Sequence, residues 1–303
     1  LSIQEVPTPK PAANEVKVKI HAAGVNPVDW KIADGLLSSK MECEWPITLG
    51  WDFAGTISEV GSAVSTFSKG DPVYGYARKE KLHDGTFAEY LCMDANNVSR
   101  KPASLSMEEA ASIPLSALTA WQAMFDKAQL KKGETALIYA GAGGVGSYAV
   151  QLAKLYGAYV IATGSGKNHN YINMLGADEV IDYTAENVAK TLLKRYPNKL
   201  DFIFDTIGGK TLEESYSLVK PGGWLVTIAG VINAEHATQH KIQAEWIFVK
   251  PDKRELDAIT KLIDEKKLKC PKIETYPFKE VGRALKKNKQ GHVQGKLVVL
   301  IYS

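Results

Sequence analysis

The most constraining stretch of this chain is Gly141-Ala142-Gly143-Gly144-Val145-Gly146. It follows the apolar run Ala136-Leu137-Ile138-Tyr139 and opens a helical pattern over residues 145–156. A glycine cluster alone is a weak signal, but strand before and helix after is the context a dinucleotide loop requires. Gly141 permits a tight turn, Gly143 lets backbone approach a diphosphate, and Gly146 lets helix and strand pack closely. Free N–H groups and the positive end of the helix then hold the anion. A glycine-rich turn with no ligand is the bland alternative, and both context and spacing disfavour it.

The hydrophobic period on either side divides the chain. Residues 1–100 read as short strands and turns, with Val16, Val18 and Ile20 alternating against Lys17 and Lys19. Ser106 and Glu109 have capping-box spacing at the start of a helical run. Apolar strands are expected at Thr135–Ala140, Tyr159–Thr163, Glu179–Asp182, Asp201–Asp205 and Gly223–Ala229, with a sixth at Trp246–Val249. A short helix is expected over Tyr171–Leu175. Near-continuous apolar strands separated by helices predict a parallel sheet covered on both faces. Asp252 and Glu255 again mark a helix start, Leu256, Ile259 and Ile263 form its apolar face, and a last strand begins at Gly295-Lys296. The expected segments are 1–114, 115–250 and 251–303.

Composition removes several classes. The 37 basic and 34 acidic residues leave a net charge of +3, too mild to argue for nucleic acid. The lysines near 266–269 and 286–289 read as solvated faces. Cys43, Cys92 and Cys270 are far apart and form no CxxC pair, which predicts neither a disulfide framework nor a structural zinc. Three thiols suit a reducing compartment, and the expectation is cytoplasmic. No apolar run reaches membrane-spanning length. The opening LSIQEVPTPKP has no apolar signal core, and its lack of Met suggests that natural N-terminal residues are missing.

Coenzyme choice is read about 20 residues past the glycine loop, where an NAD enzyme usually places an acid. This chain has Ala162-Thr163-Gly164-Ser165-Gly166-Lys167 there. A hydroxyl at Ser165 and a cation at Lys167 suit a 2′-phosphate, so NADPH is expected over NADH. An exposed loop lysine without a ligand is the other reading of Lys167.

Taken together, Ala23-Gly24-Val25-Asn26-Pro27-Val28-Asp29, Leu49-Gly50-Trp51-Asp52-Phe53-Ala54-Gly55, Leu118-Thr119-Ala120-Trp121, the loop 141–146 and Asp205-Thr206-Ile207-Gly208-Gly209 resemble the medium-chain dehydrogenase/reductase superfamily. Within it they resemble the quinone oxidoreductase (zeta-crystallin-like) branch. The resemblance covers nearly the whole chain. It implies an α/β fold, a Rossmann doubly wound parallel sheet inserted into a GroES-like β-rich domain, with an active site in the cleft between them. It also implies a homodimer formed through the sheet edge, with Trp246–Val249 as the candidate contact. The superfamily's alcohol dehydrogenases hold a catalytic zinc with Cys, His and a later Cys or Asp. Here Asn26 stands at the first Cys, Trp51 at the His, and Asp52 at the Glu of the Gly-His-Glu segment. Such donors make a poor zinc site, so no metal is expected.

The expected activity is NADPH-dependent hydride transfer to a quinone or an α,β-unsaturated carbonyl. By resemblance Asn26 and Asp29 face the nicotinamide, followed by Lys31. Asn26 orients substrate or nicotinamide. Asp29 either orients its neighbours or is a turn residue. Tyr183 is expected against the adenosine side, and the backbone of Thr206, Ile207 and Ala229 along the nicotinamide. Trp51 and Tyr76 read as apolar walls for a flat substrate or as core. His21 and His83 are tempting acids, but neither lies in a cofactor motif. Two alternatives stay open: an enone or alkenal reductase with little quinone activity, and a nucleotide-binding relative without turnover that binds RNA or another partner.

Overall fold

The computed structural model describes residues 1–302. The chain forms two compact units, residues 1–118 with 250–303, and residues 119–249.

The first unit is built on a seven-stranded sheet. Its longest strand, Glu15–Val25, buries Val16, Val18 and Ile20 while the lysines between them stay half-buried. That is the period-two pattern of a strand with one covered face. Its first half pairs with Tyr90–Asp94, its second half with Lys296–Leu300, and much of its length with Asp52–Val60. Register shifts after Lys17 and after Ile20 bend the strand, as bulges do. Pro72–Tyr76 and Val98–Arg100 extend one side, and Ile273–Pro277 lies beyond the last strand on the other. The Ser106 capping box forms as its spacing predicts. Ser106 Oγ accepts from Glu109 N at 3.2 Å, and Glu109 Oε2 accepts from Ser106 N at 2.9 Å. Asp252 caps the helix Lys253–Asp264, whose Leu256, Ile259 and Ile263 are buried.

The second unit is a six-stranded parallel sheet. In space its strands run Glu179–Asp182, Tyr159–Gly164, Thr135–Ile138, Leu200–Asp205, Val219–Thr227 and Gln243–Trp246. Numbered within the unit, that order is 3-2-1-4-5-6, the doubly wound Rossmann arrangement. Ile138, Ile161, Ile203 and Leu225 are fully buried, which explains why these strands read as continuous apolar runs. Each such side chain contributes roughly 1.5–3 kcal/mol of burial. Most bounds shift by a residue or two, and two strands differ from expectation by more. The fifth starts at Val219, not Gly223, and runs through Lys220-Pro221-Gly222, a segment whose residues look like a turn. The sixth is Gln243–Trp246, not Trp246–Val249. As an edge strand it is half-covered, so it lacks the apolar run that marks its neighbours.

Candidate active site

The strand order of the second unit reverses between Thr135–Ile138 and Leu200–Asp205, and ligands of such sheets lie beyond the carboxyl ends at that point. The glycine loop sits there. Ala140 takes a positive φ of 52° and turns the chain. Its N–H donates to Thr163 Oγ1 at 3.0 Å, and Gly141 N donates to Thr163 O at 2.9 Å. Thr163, near the end of the neighbouring strand, thus ties down the loop, a role sequence reasoning did not assign. The helix Gly144–Leu155 starts one residue earlier than expected, and no side chain caps it. Its first-turn N–H groups are left for an external acceptor. A Cβ on Gly146 would lie 2.1 Å from Ala140 O, whereas one on Gly143 would meet only that oxygen, at 3.3 Å. Gly146 is therefore required for packing, and Gly143 borders open space. Ala142 is buried, and Gly144 and Val145 form the first helical turn. This cradle fits a dinucleotide diphosphate.

The segment expected to read the ribose forms a short 3₁₀ turn, Gly166–Asn168, after Ser165. Ser165 Oγ accepts from Asn168 Nδ2 at 3.2 Å, and Lys167 is exposed. The linear sequence shows no acid at the end of this strand, yet one reaches the loop from the adjacent strand. A Cβ on Gly166 would lie 2.8 Å from Asp182 Oδ2. Asp182 Oδ1 accepts from Thr184 N at 2.9 Å and from Thr184 Oγ1 at 2.6 Å, and those bonds hold its carboxyl below the usual range. Only the parallel pairing of Asp182 with Gly164 reveals this neighbour.

Further along the same edge, Asp205 is buried and organises the next loop. Its carboxylate accepts from Ile207 N at 3.1 Å, Gly208 N at 3.0 Å and Thr227 Oγ1 at 2.7 Å. Thr227 Oγ1 in turn accepts from Ala229 N at 3.1 Å, and Thr206 Oγ1 donates to Tyr139 O at 3.0 Å. Gly208 has a φ of 77°, and a Cβ there would strike Ala229 O. Three strand ends are knitted together, with Ile207 and Ala229 exposed upon them. Tyr183 is also exposed, beside Asp182.

In the first unit the structure draws Asn26, Asp29, Asp52 and Lys296 into one buried cluster, with exposures of 1%, 0%, 0% and 4%. Lys296 Nζ donates to Asn26 Oδ1 at 2.5 Å and lies 3.5 Å from Asp52 Oδ2. Asn26 Nδ2 donates to the same Asp52 oxygen at 2.8 Å. Leu115 N donates to Asp52 Oδ1 at 2.8 Å. Asp29 Oδ2 accepts from Asn26 N at 2.7 Å, while its Oδ1 has no partner. Burial pushes the Asp29 carboxyl up to about 8 despite the Asn26 N–H bond. Burial likewise raises Asp52 and lowers Lys296, and the charge of each partner works against that effect. Lys296 was missed from sequence. The available signal was a lysine opening an otherwise apolar final strand.

Trp51 and Tyr76 meet edge to face, 5.9 Å between centroids. Both are buried, and the Tyr76 hydroxyl has no partner. His21 bonds Thr56 and His83 bonds Glu44 O, both outside the Asn26 cluster.

An amide, an indole and a carboxylate already shared by a lysine do not fit a metal ion. Among the described residues, no group of three or more His, Cys, Asp or Glu is placed to hold one. Nor, among them, is any helix long and apolar enough to cross a membrane.

A nucleotide cradle at the switch point of a doubly wound sheet, with a separate β-rich unit bearing a buried polar cluster, defines a dinucleotide-dependent oxidoreductase. Two family models match: the alcohol dehydrogenase GroES-like domain over residues 12–103 and the zinc-binding dehydrogenase over 175–299. The mitochondrial NAD(P)H oxidoreductase RTN4IP1 of Danio rerio is 35% identical, covering 95% of this chain and 84% of that protein. The chloroplastic NADPH-dependent alkenal/one oxidoreductase of Arabidopsis thaliana is 32% identical over 96% of this chain and 73% of its own. The solved quinone oxidoreductase of Coxiella burnetii superposes with a TM-score of 0.87 at 35% identity, covering 98% of this chain and 93% of its own. The chain belongs to the medium-chain dehydrogenase/reductase superfamily, in its quinone oxidoreductase branch.

Proposed function

We propose that this protein is an NADPH-dependent reductase that delivers hydride to a quinone or an α,β-unsaturated carbonyl without a metal. The observation that carries this reading is the uncapped helix Gly144–Leu155 behind the glycine loop, at the sheet's switch point. Bound there, the coenzyme supplies the hydride, and the protein supplies position and electrostatics. The loop N–H groups hold the diphosphate. Ser165 and Lys167 take the 2′-phosphate, and because Asp182 lies under the same turn, the preference for NADPH over NADH rests on Lys167. Tyr183 lies against the adenosine side, and Thr206, Ile207 and Ala229 border the nicotinamide. Charge that builds on the acceptor oxygen is met by hydrogen-bond donors, a role assigned here to Asn26, with Trp51 and Tyr76 as apolar walls for a flat substrate. Two relatives, a quinone oxidoreductase and an alkenal/one oxidoreductase, support this acceptor class.

A homodimer through the outer edge of Gln243–Trp246 belongs to the same proposal. That strand ends the sheet, and Trp246 is exposed beside Phe248. Light scattering on the purified protein tests it. Cys43, Cys92 and Cys270 form no disulfide among the described residues, which suits a reducing compartment, the cytoplasm or an organelle interior.

The deciding experiment follows NADPH absorbance against a panel of quinones and simple enones. Turnover with at least one class, unchanged by a chelator, is expected. Tight NADPH binding with no oxidation on any acceptor would replace this reading with that of a nucleotide-binding protein without turnover.

A further inference from the structure

Lys296 lies 270 positions from Asn26 in the chain, yet its ammonium and that amide form the tightest contact of the buried cluster. The last strand brings it there. Leu297 pairs with Val25 and Val298 with Gly24, so the residue before them lies beside Asn26. Gly24 also pairs with Asp52. A Cβ on Gly24 would lie 3.0 Å from Asp52 Cβ and 2.3 Å from Ala111 O, so the backbone closes directly over the cluster.

The distances separate two roles for the lysine. Were it present only to neutralise Asp52, its nitrogen would sit on the carboxylate. Instead it lies 2.5 Å from the amide oxygen and 3.5 Å from the carboxylate. The amide nitrogen takes the carboxylate oxygen in its place, at 2.8 Å. Rotating the amide by half a turn would set its NH₂ against the ammonium and its carbonyl against the carboxylate. Both contacts would then be repulsive, so the pair permits one orientation only.

We infer that Lys296 is a positioning residue: together with Asp52 it locks the Asn26 side-chain amide in one orientation, its oxygen on the ammonium and its nitrogen on the carboxylate. This rests on the reading of Asn26 under the proposed function. Lys296 itself touches neither substrate nor coenzyme in this role.

The test uses the full-length protein with the double substitution Lys296→Met and Asp52→Asn. It removes both charges and nearly keeps volume, so neither partner is left as an unpaired buried charge. The melting temperature should stay near wild type. kcat should fall roughly 10–100-fold, the scale of a 1 Å misplacement, with acceptor KM and NADPH affinity within about threefold. The ¹⁵N-labelled Asn26 side-chain amide should show one slowly exchanging environment in the wild type and an averaged one in the variant. Wild-type kcat with an unchanged amide resonance would overturn the inference. If the double variant does not fold, Lys296→Arg keeps the charge on a forked donor. A shifted amide resonance with lower kcat then supports the inference, and no change in either overturns it. The resonance reads amide orientation without turnover, so a wild type inactive on every acceptor would sink the functional reading and still leave the lysine's role decided.

Discussion

Adding one methyl group at Gly143, and separately at Gly146, distinguishes ligand approach from packing. Gly143 has a φ of −78°, which alanine adopts freely, and its Cβ would meet only Ala140 O at 3.3 Å. Gly143→Ala should therefore leave stability within about 1 kcal/mol, or roughly 2–4 °C in melting temperature for a chain of this size. The methyl would instead occupy space that the diphosphate needs. Losing one charge-assisted hydrogen bond costs about 1.5–3 kcal/mol, or roughly 10–150-fold in NADPH affinity. Gly146 behaves differently. Its Cβ would lie 2.1 Å from a backbone oxygen, where carbon and oxygen normally keep about 3.3 Å apart. No rotamer relieves a clash between backbones, so the helix must retreat by roughly 1 Å, at an overpacking cost of about 1–3 kcal/mol or more. Gly146→Ala should lower both melting temperature and affinity. Differential scanning fluorimetry and calorimetric NADPH titration measure the two quantities. Wild-type affinity in Gly143→Ala would refute the idea that backbone at this loop approaches the diphosphate.

Three further outcomes are expected. Lys167→Glu should weaken NADPH binding more than tenfold and NADH binding much less; equal losses would remove the 2′-phosphate from the account. Asp205→Ala strands three donors at about 1–3 kcal/mol each, so the melting temperature should drop by about 10 °C, and a change under about 2 °C would contradict the network drawn here. Asp29 keeps its proton up to about 8 in the fold, whereas an exposed aspartate loses it near ~3.9. Between those values folding takes up a proton, so this group makes the protein less stable as pH rises, by at most ~1.4 kcal/mol per unit. Asp29→Asn removes that slope, so its melting temperature relative to wild type should climb from pH 5 to pH 8 and then level; a pH-independent difference would contradict a protonated Asp29.

The second unit was legible because its information is local. The run Ala136–Tyr139, the glycines and the helix that follow are contiguous, and their periodicity declares the element types. The edge strand Gln243–Trp246 was placed three residues late because half-burial dilutes its apolar character. Lys220-Pro221-Gly222 hid the true start of its neighbour at Val219. Site residues that depend on pairing between strands were not legible. Asp182 meets the Gly166 turn only through register, and Lys296 meets Asn26 only after the two ends of the sequence join in one sheet. Asn26 and Asp52 were singled out in the sequence, but nothing there told that an ammonium would hold them.

The pairing of Lys296–Leu300 with Ala22–Val25 also sets an order of assembly during synthesis. Residues 119–249 form one contiguous unit, and domains generally fold as units during synthesis. The β-rich unit must wait with an open sheet until its final strand is released. Closing so long a loop is entropically slow, and until then the Asn26 edge is exposed to wrong pairings. A nascent chain should thus gain coenzyme affinity before it gains turnover, and truncating the last strand should yield a protein that holds nucleotide yet performs no chemistry.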